Sequence, residues 1–254
     1  MRILSIGAGA IGTYIGGSLA LDGHDVVFVE RPEMARALRE RGLRLTVDGT
    51  EHAVPSPCMA DSLAEALAGD PFDVALFALK SFDTEGFLAS LRVPADAMPP
   101  VLCLSNGVEN EPTLAAALGP GKVLAGTVTT AIGRTGDGAI VLEKLRGVGV
   151  AMPGPGEHAS LAPLCEKVVA AMDGAGLNAR RFDRADAMKW SKLLTNLIAN
   201  ATSAILDLTP AAIFANPGLY RLEREQLLET LRVMDARGID VVDLPGTPVR
   251  LLAR

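Results

Sequence analysis

The sequence predicts an α/β fold in two parts: a parallel sheet buried on both faces over residues 1–183, then a shorter all-helical part over 184–254. Three observations predict it. Short apolar runs alternate with helical patterns through the first two thirds of the chain, as in successive βαβ units. A glycine-rich turn, Gly7-Ala8-Gly9-Ala10-Ile11-Gly12, joins the first apolar run to the first helical pattern. From about Ala185 the strand-like runs stop and helical periodicity takes over.

Taken in order, the expected strands are Arg2–Ile6, Asp25–Glu30, Asp73–Lys80, Val101–Ser105 and Val123–Thr129, each a run of apolar residues bounded by turn formers. Between them helices are expected at 12–22, 33–41, 62–68, 83–91 and 109–118. Leu43–Val47 and His52–Val54 flank Asp48-Gly49, the signature of a tight hairpin. Ala139–Lys144 and Val148–Met152 read as a second antiparallel excursion near the sheet edge. Pro153-Gly154-Pro155-Gly156 marks the region of the boundary, followed by a helix over 160–175, a short strand at Ala179–Phe182 and a long helix from Asp186 to Leu206. At the far end Thr247 and Pro248 open a helical pattern that stops within six residues, so a shortened chain is expected. The apolar residues Leu227, Leu228 and Leu231 would then be left uncovered, and either self-association, as a homo-oligomer, or poor stability is the expectation.

Composition narrows the function. Thirty acids against 24 bases and no basic run argue against nucleic acid or an anionic membrane as partner, and leave a small molecule. Cys58, Cys103 and Cys165 are far apart, as are His24, His52 and His158, so no disulfide framework and no metal site is encoded, and a cytoplasmic setting is expected. There is no GxSxG elbow. The uncharged stretch Ile3–Leu21 has the length of a membrane span, but Gly7, Gly9, Gly12, Gly16 and Gly17 would weaken one.

The chemistry begins at Gly7–Gly12, a GxGxxG between strand and helix. The first glycine allows the tight turn, the second lets backbone approach a pyrophosphate, and the third lets helix and strand pack closely, the fingerprint of a Rossmann-type dinucleotide site. At the end of the second strand Glu30 would bind a ribose 2′-hydroxyl, whereas Arg31 would accommodate a 2′-phosphate, and spacing leaves both open. Lys80 and Asn106 follow strands and fall at the carboxyl edge of the sheet, where ligands of such sheets bind. On the helix 186–206, Lys189, Lys192, Asn196, Asn200 and Ser203 share an arc of about 80° with no Asp or Glu among them, a stripe suited to an anion. Reduction of a ketone with a nicotinamide needs a proton for the developing alkoxide, and Lys192 is the candidate donor, with Asn196 and Asn200 placed to hold the same substrate.

These residues resemble the ketopantoate reductase (2-dehydropantoate 2-reductase) family. The resemblance lies in Gly7–Gly12, Arg31, Ala78-Leu79-Lys80, Asn106-Gly107, the cofactor-side loop Gly126–Thr130 with its turn to Ile132 and Gly133, and above all Trp190-Ser191-Lys192 followed by Asn196 and Asn200. It implies NADPH-dependent reduction of ketopantoate to pantoate on the way to pantothenate and coenzyme A. In it Lys192 donates the proton, Asn106, Lys192, Asn196 and Asn200 bind substrate, and Gly7, Ala8, Gly9, Ala10, Ile11, Gly12, Arg31, Lys80, Asn106 and Ile132 bind cofactor. Glu30 keeps NADH as the other cofactor. Family members continue through helices bearing a substrate-binding serine and an active-site glutamate, absent here, which admits two other readings: a reductase of a different 2-oxo acid, and a non-catalytic NADP(H)-binding protein.

Overall fold

The computed structural model describes residues 1–153 and 159–253. Gly154–Gly156 of the expected boundary, His158 and Arg254 lie outside the described residues. The chain is an α/β protein, with a sheet-based Rossmann-type N-terminal part and a helical C-terminal region.

Strands β1 (Arg2–Ile6), β2 (Asp25–Val29), β5 (Cys58–Ala60), β6 (Val74–Phe77), β7 (Val101–Cys103) and β8 (Val123–Val128) pair in parallel in the order β5-β2-β1-β6-β7-β8. Strand β11 (Val148–Ala151) adds antiparallel to β8, and β12 (Ala179–Phe182) adds parallel to β11. Side chains alternate between the faces, as the pleat requires. Ile3, Phe28 and Leu76 enter the cluster beneath α1 (Ala10–Leu21) and α6 (Ala162–Gly174), while Leu4, Val27 and Phe77 enter the one beneath α3 (Leu63–Leu67), α4 (Thr84–Ser90) and α5 (Asn110–Leu118). Burial on both faces is why these strands read as unbroken apolar runs.

The expected hairpin forms as β3 (Leu43–Val47) and β4 (Thr50–Val54), with Asp48 and Gly49 both at positive φ, as a two-residue hairpin turn requires. It belongs to a second, four-stranded sheet in the order β4-β3-β10-β9, which pattern alone does not reveal. Ala139–Lys144 is β10 of that sheet, whereas Val148–Ala151 is β11 of the main one, so the expected antiparallel excursion is split between two sheets. The expected turn to Ile132 and Gly133 is instead strand β9 (Ala131–Gly136), antiparallel to β10, with Ile132 opposite Leu142.

The C-terminal region comprises α7 (Ala185–Leu197), α8 (Asn200–Leu206), α9 (Pro210–Ala215) and α10 (Pro217–Ala236). Proline at the first position starts α9 and α10, where its missing N–H is no loss. The Asn216 side chain caps α10 by accepting from Gly218 and Leu219 N–H at 2.9 and 3.1 Å. Met188 and Leu194 of α7, Met234 of α10, and Ile239, Leu244 and Val249 close a third core that also takes in Ala125 and Ala151 of the main sheet. The pattern opened by Thr247 and Pro248 is a short 3-10 turn over Val249–Ala253, with Val249 fully buried. Leu227 and Leu231, expected to be bare, pack against this core, and the apolar exposure falls instead on Ile205, 78% exposed, with Phe214, Tyr220 and Leu222. No helix among the described residues is long and apolar enough to cross a membrane. Ile3–Leu21 is divided between β1 and α1.

At Gly7 φ is +95°, a left-handed conformation that glycine reaches without penalty. A Cβ at Gly12 would lie 1.9 Å from the Gly7 carbonyl oxygen, so only glycine lets α1 start this close to β1. A Cβ at Gly9 would meet nothing within 4 Å. Gly12→Ala is therefore expected to destabilise the chain by at least about 2 kcal/mol, and Gly9→Ala by less than about 0.5, in urea unfolding. Equal losses would show that the loop relaxes around the added methyl.

Candidate active site

The strand order reverses between β1 and β6, and ligands of open α/β sheets bind in the crevice at the carboxyl ends of strands flanking such a switch. The Gly7–Gly12 turn sits there, its Gly7 N–H donating to the Val29 carbonyl at 3.0 Å. Thr13 ties down the turn by donating its hydroxyl to the Ala8 carbonyl at 2.9 Å. Open space beside Gly9, at the N-terminus of a twelve-residue helix, is what a pyrophosphate needs.

Glu30 and Arg31 take different positions at the end of β2. The Glu30 carboxylate accepts from Ala8 N–H at 2.7 Å and Arg31 N–H at 2.9 Å, so it lies against the glycine turn. The Arg31 side chain is 87% exposed, with its Nε 3.7 Å from Glu30. Lys80 and Asn106 lie three residues beyond their strands, not at their ends, because β6 stops at Phe77 and β7 at Cys103. Both side chains are exposed at the carboxyl edge. Their loops are joined by the Ser105 hydroxyl, which donates to Leu79 O at 2.8 Å, and by buried Asn110. The Asn110 amide N–H₂ donates to Asn106 O at 2.8 Å, while its carbonyl accepts from Ser81 and Thr84. Ile132 is half-buried in β9 and packs against the core under α1.

Helix α7 crosses the sheet from its amino edge to its carboxyl edge. Ala185 packs with Ala125, Ala151 and Phe182, and one turn on Lys189, 5% exposed, reaches the Ser105 carbonyl at 2.7 Å, the Gly126 carbonyl at 3.3 Å and the Glu111 carboxylate at 2.7 Å. Lys189 is thus a buried, compensated cation and not part of an open anion-binding stripe. Lys192 follows, half-buried, with no carboxylate partner among the described residues. Burial pulls its pKa below the ordinary 10.5, and the positive charges of Arg146 and Lys189 push it further down.

The expected continuous helix 186–206 is broken. Ala199 adopts the left-handed conformation at φ +56°, ending α7 and starting α8. The break is held by Glu223 of α10, 3% exposed, whose carboxylate accepts from Ala199 N–H at 2.7 Å and from the Thr202 hydroxyl. Asn196 therefore lies on α7, half-buried, while Asn200 opens α8 and is exposed. Ser203 lies on α8, with its hydroxyl buried and unpartnered.

Trp190 turns away from this edge toward α5, its ring beneath Arg237 at 5.5 Å. With Glu111, Pro112 and Lys189 it lines a cavity of about 310 Å³ that includes none of Lys80, Asn106, Lys192, Asn196 and Asn200. Asn110, Glu111, Arg146 and Glu223 are polar residues at or behind the site that motif reading does not find. Asn110, Glu111 and Glu223 are recognised by side-chain partners distant in sequence and Arg146 by the contacts of its main chain, and none carries a local signal. Among the described residues no group of three or more His, Cys, Asp or Glu side chains could hold a metal ion.

Two family models match the chain. The ketopantoate reductase PanE/ApbA model covers residues 3–151, and the ketopantoate reductase PanE/ApbA C-terminal model covers 184–249. The chain belongs to the ketopantoate reductase family. The 2-dehydropantoate 2-reductase of Halobacterium salinarum is 29% identical to it over 243 residues, which span 95% of this chain and 77% of that relative. The PanE/ApbA family ketopantoate reductase of Ralstonia eutropha superimposes with a TM-score of 0.78 at 29% identity, covering 96% of this chain and 77% of that one. A D-mandelate dehydrogenase solved with NADH and anilino(oxo)acetate shares the ketopantoate reductase fold, with a TM-score of 0.81 at 22% identity over 99% of this chain and 77% of its own.

Glu223 is a buried carboxylate whose removal strands two donors, Ala199 N–H and the Thr202 hydroxyl. Glu223→Ala is expected to cost about 1–3 kcal/mol in urea unfolding, with Glu223→Gln retaining most of the stability because its amide can still pair with both groups.

Proposed function

We propose that this chain reduces 2-dehydropantoate to pantoate with NADPH, the reaction that leads toward pantothenate and coenzyme A. Residues 1–183 hold the cofactor, and residues 184–254 supply the proton donor and most substrate contacts. The observation that carries the reading is Lys192: an ammonium desolvated at the carboxyl edge of the sheet, on the helix that crosses from β8 to the glycine-turn side, with no carboxylate beside it.

Gly7, Ala8, Gly9, Ala10, Ile11 and Gly12 would hold the pyrophosphate, with Arg31 at the adenosine 2′-phosphate and Lys80 and Asn106 further along the edge. Ile132 offers only the part of its side chain that the core leaves free. When bound, the nicotinamide supplies a hydride to the carbonyl carbon. Lys192 first draws electron density to the carbonyl oxygen, then gives that oxygen a proton from Nζ as the alkoxide forms. Its lowered pKa makes the transfer easier than from an ordinary lysine. Asn106, Asn196 and Asn200 present amides, both donors and acceptors, to the hydroxyl and carboxylate of the substrate.

The contact between Glu30 and Ala8 favours a second reading of the cofactor, since a carboxylate at the glycine turn suits a ribose diol and repels a 2′-phosphate. The two readings separate on kcat/KM measured with NADPH and NADH. A preference for NADPH that Arg31→Ala abolishes, with NADH unaffected, supports the first, while a preference for NADH that falls in Glu30→Ala supports the second.

Lys192→Ala is expected to lower ketopantoate turnover by about 10²–10⁴-fold while leaving cofactor affinity intact. Retained turnover removes Lys192 from the mechanism. Reduction consumes the protonated lysine, so kcat/KM, which reports the free enzyme, should fall as pH rises, with its midpoint below 10.5, and oxidation of pantoate should gain over the same interval. Turnover of another 2-oxo acid with ketopantoate inert would move the assignment to that substrate, and cofactor binding without any turnover would make this a binding protein.

A further inference from the structure

Arg146 connects β10 to β11. Because β11 runs antiparallel to β8, with Val148 opposite Val128, residue 146 emerges at the same carboxyl edge as the glycine turn and the loops of Lys80 and Asn106. Helix α7 approaches the same place. Met188 lies over Gly149 and Lys189 reaches the Gly126 carbonyl, so the next turn, with Lys192, advances toward residues 146–147 and 128–130.

The main chain at Arg146 is fixed on several sides. The N–H groups of Arg146 and Gly147 both donate to the Thr130 hydroxyl, at 3.2 and 3.0 Å, and the Arg146 carbonyl accepts from the Asn178 amide. Gly246 presses so closely that an added Cβ would lie 2.9 Å from the Arg146 Cα and Cβ. The side chain is not similarly satisfied. Its Nε is buried without a hydrogen-bond partner, and no carboxylate among the described residues pairs with the guanidinium. Lys189 nearby has Glu111 to neutralise it, whereas neither Arg146 nor Lys192, which the next turn of α7 carries toward residues 146–147, has a carboxylate partner among the described residues. Two cations at one edge without carboxylate partners are complementary to an anion, and the planar guanidinium is the cation best shaped to pair with a carboxylate.

We propose that Arg146 binds the carboxylate of the 2-oxo acid, placing the adjacent ketone oxygen at Lys192 and selecting the acid over its uncharged derivatives. The assignment rests on the reductase reading above and deepens it by naming the group that recognises the charged end of the substrate.

The test compares the full chain with its Arg146→Ala, Arg146→Gln and Arg146→Lys variants on 2-dehydropantoate and on its uncharged primary amide, with pantoate binding measured by calorimetry alongside. Wild-type chain should prefer the acid. In Arg146→Ala and Arg146→Gln, kcat/KM for the acid and affinity for pantoate should fall by about ten- to hundred-fold, with the amide changing less than about threefold, and Arg146→Lys should recover part of the loss. An unchanged acid-to-amide ratio overturns the assignment, as does pantoate binding that is indifferent to Arg146 or undetectable in the wild-type chain. A variant that lost structure would depress acid and amide together, and the remaining substitutions then decide. Arg146-dependent pantoate binding without turnover would uphold the carboxylate site and refute the reductase reading alone.

Discussion

The buried ion pair between Lys189 and Glu111 is the constraint on which the site depends. An ammonium taken out of water costs several kcal/mol unless it is paired and hydrogen-bonded, and here the carbonyls of Ser105, in the loop after β7, and Gly126, in β8, accept from it while the Glu111 carboxylate of α5 neutralises its charge. The pairing therefore fixes where α7 crosses the sheet. Once Lys189 is seated, the direction of α7 and the 3.6-residue period put Lys192 at the carboxyl edge without any further contact. A buried pair of this kind is weak evidence for net stability, because an apolar pair of the same volume would often do as well. What it contributes is a unique registration of the helical region on the sheet, and Lys192, in the role proposed for it, needs that registration more than the fold needs extra stability.

Around that fixed point the edge is assembled from loops that do not hold themselves. Asn110 and Ser105 join the loops bearing Lys80 and Asn106, Thr130 holds Arg146, and Glu223 holds the break at Ala199 that separates Asn196 from Asn200. All are polar groups buried behind the surface a ligand would meet, and each satisfies donors or acceptors left over where regular structure ends. The surface itself carries Lys80, Asn106 and Asn200 exposed, so the specificity of the edge lies in a second row of residues that orient the first.

The parts of this arrangement legible in the sequence are those with local causes. Glycine spacing revealed the turn at residues 7–12 because the steric requirement lies within six residues, and apolar runs revealed the central strands because both faces are buried. The hairpin at Asp48-Gly49 was legible for the same reason. What stayed hidden has causes distant in sequence. Nothing at Ile198-Ala199 breaks a helix, since neither residue is Gly or Pro, and the break exists because Glu223 offers it a cap. Lys189 has the period of a polar stripe and becomes a core residue only when Glu111 arrives from α5. Strand β9 looked like a turn because its ladder is completed by β10 and, through it, by β3 nearly ninety residues upstream. The side chains proposed for cofactor and substrate were thus found as residue types, while the scaffolding that aims them was not.

The crowding of positive charge around Lys192 also has a thermodynamic corollary. Surroundings that disfavour the ammonium in the unliganded chain would favour it more once the proposed anion binds beside it, since the nearest new charge would be of opposite sign. Anion occupancy and proton uptake at this lysine are linked equilibria, each raising the affinity for the other by the same factor. A negatively charged ligand beside Lys192 would therefore hold the proton on Nζ more firmly than the unliganded site does.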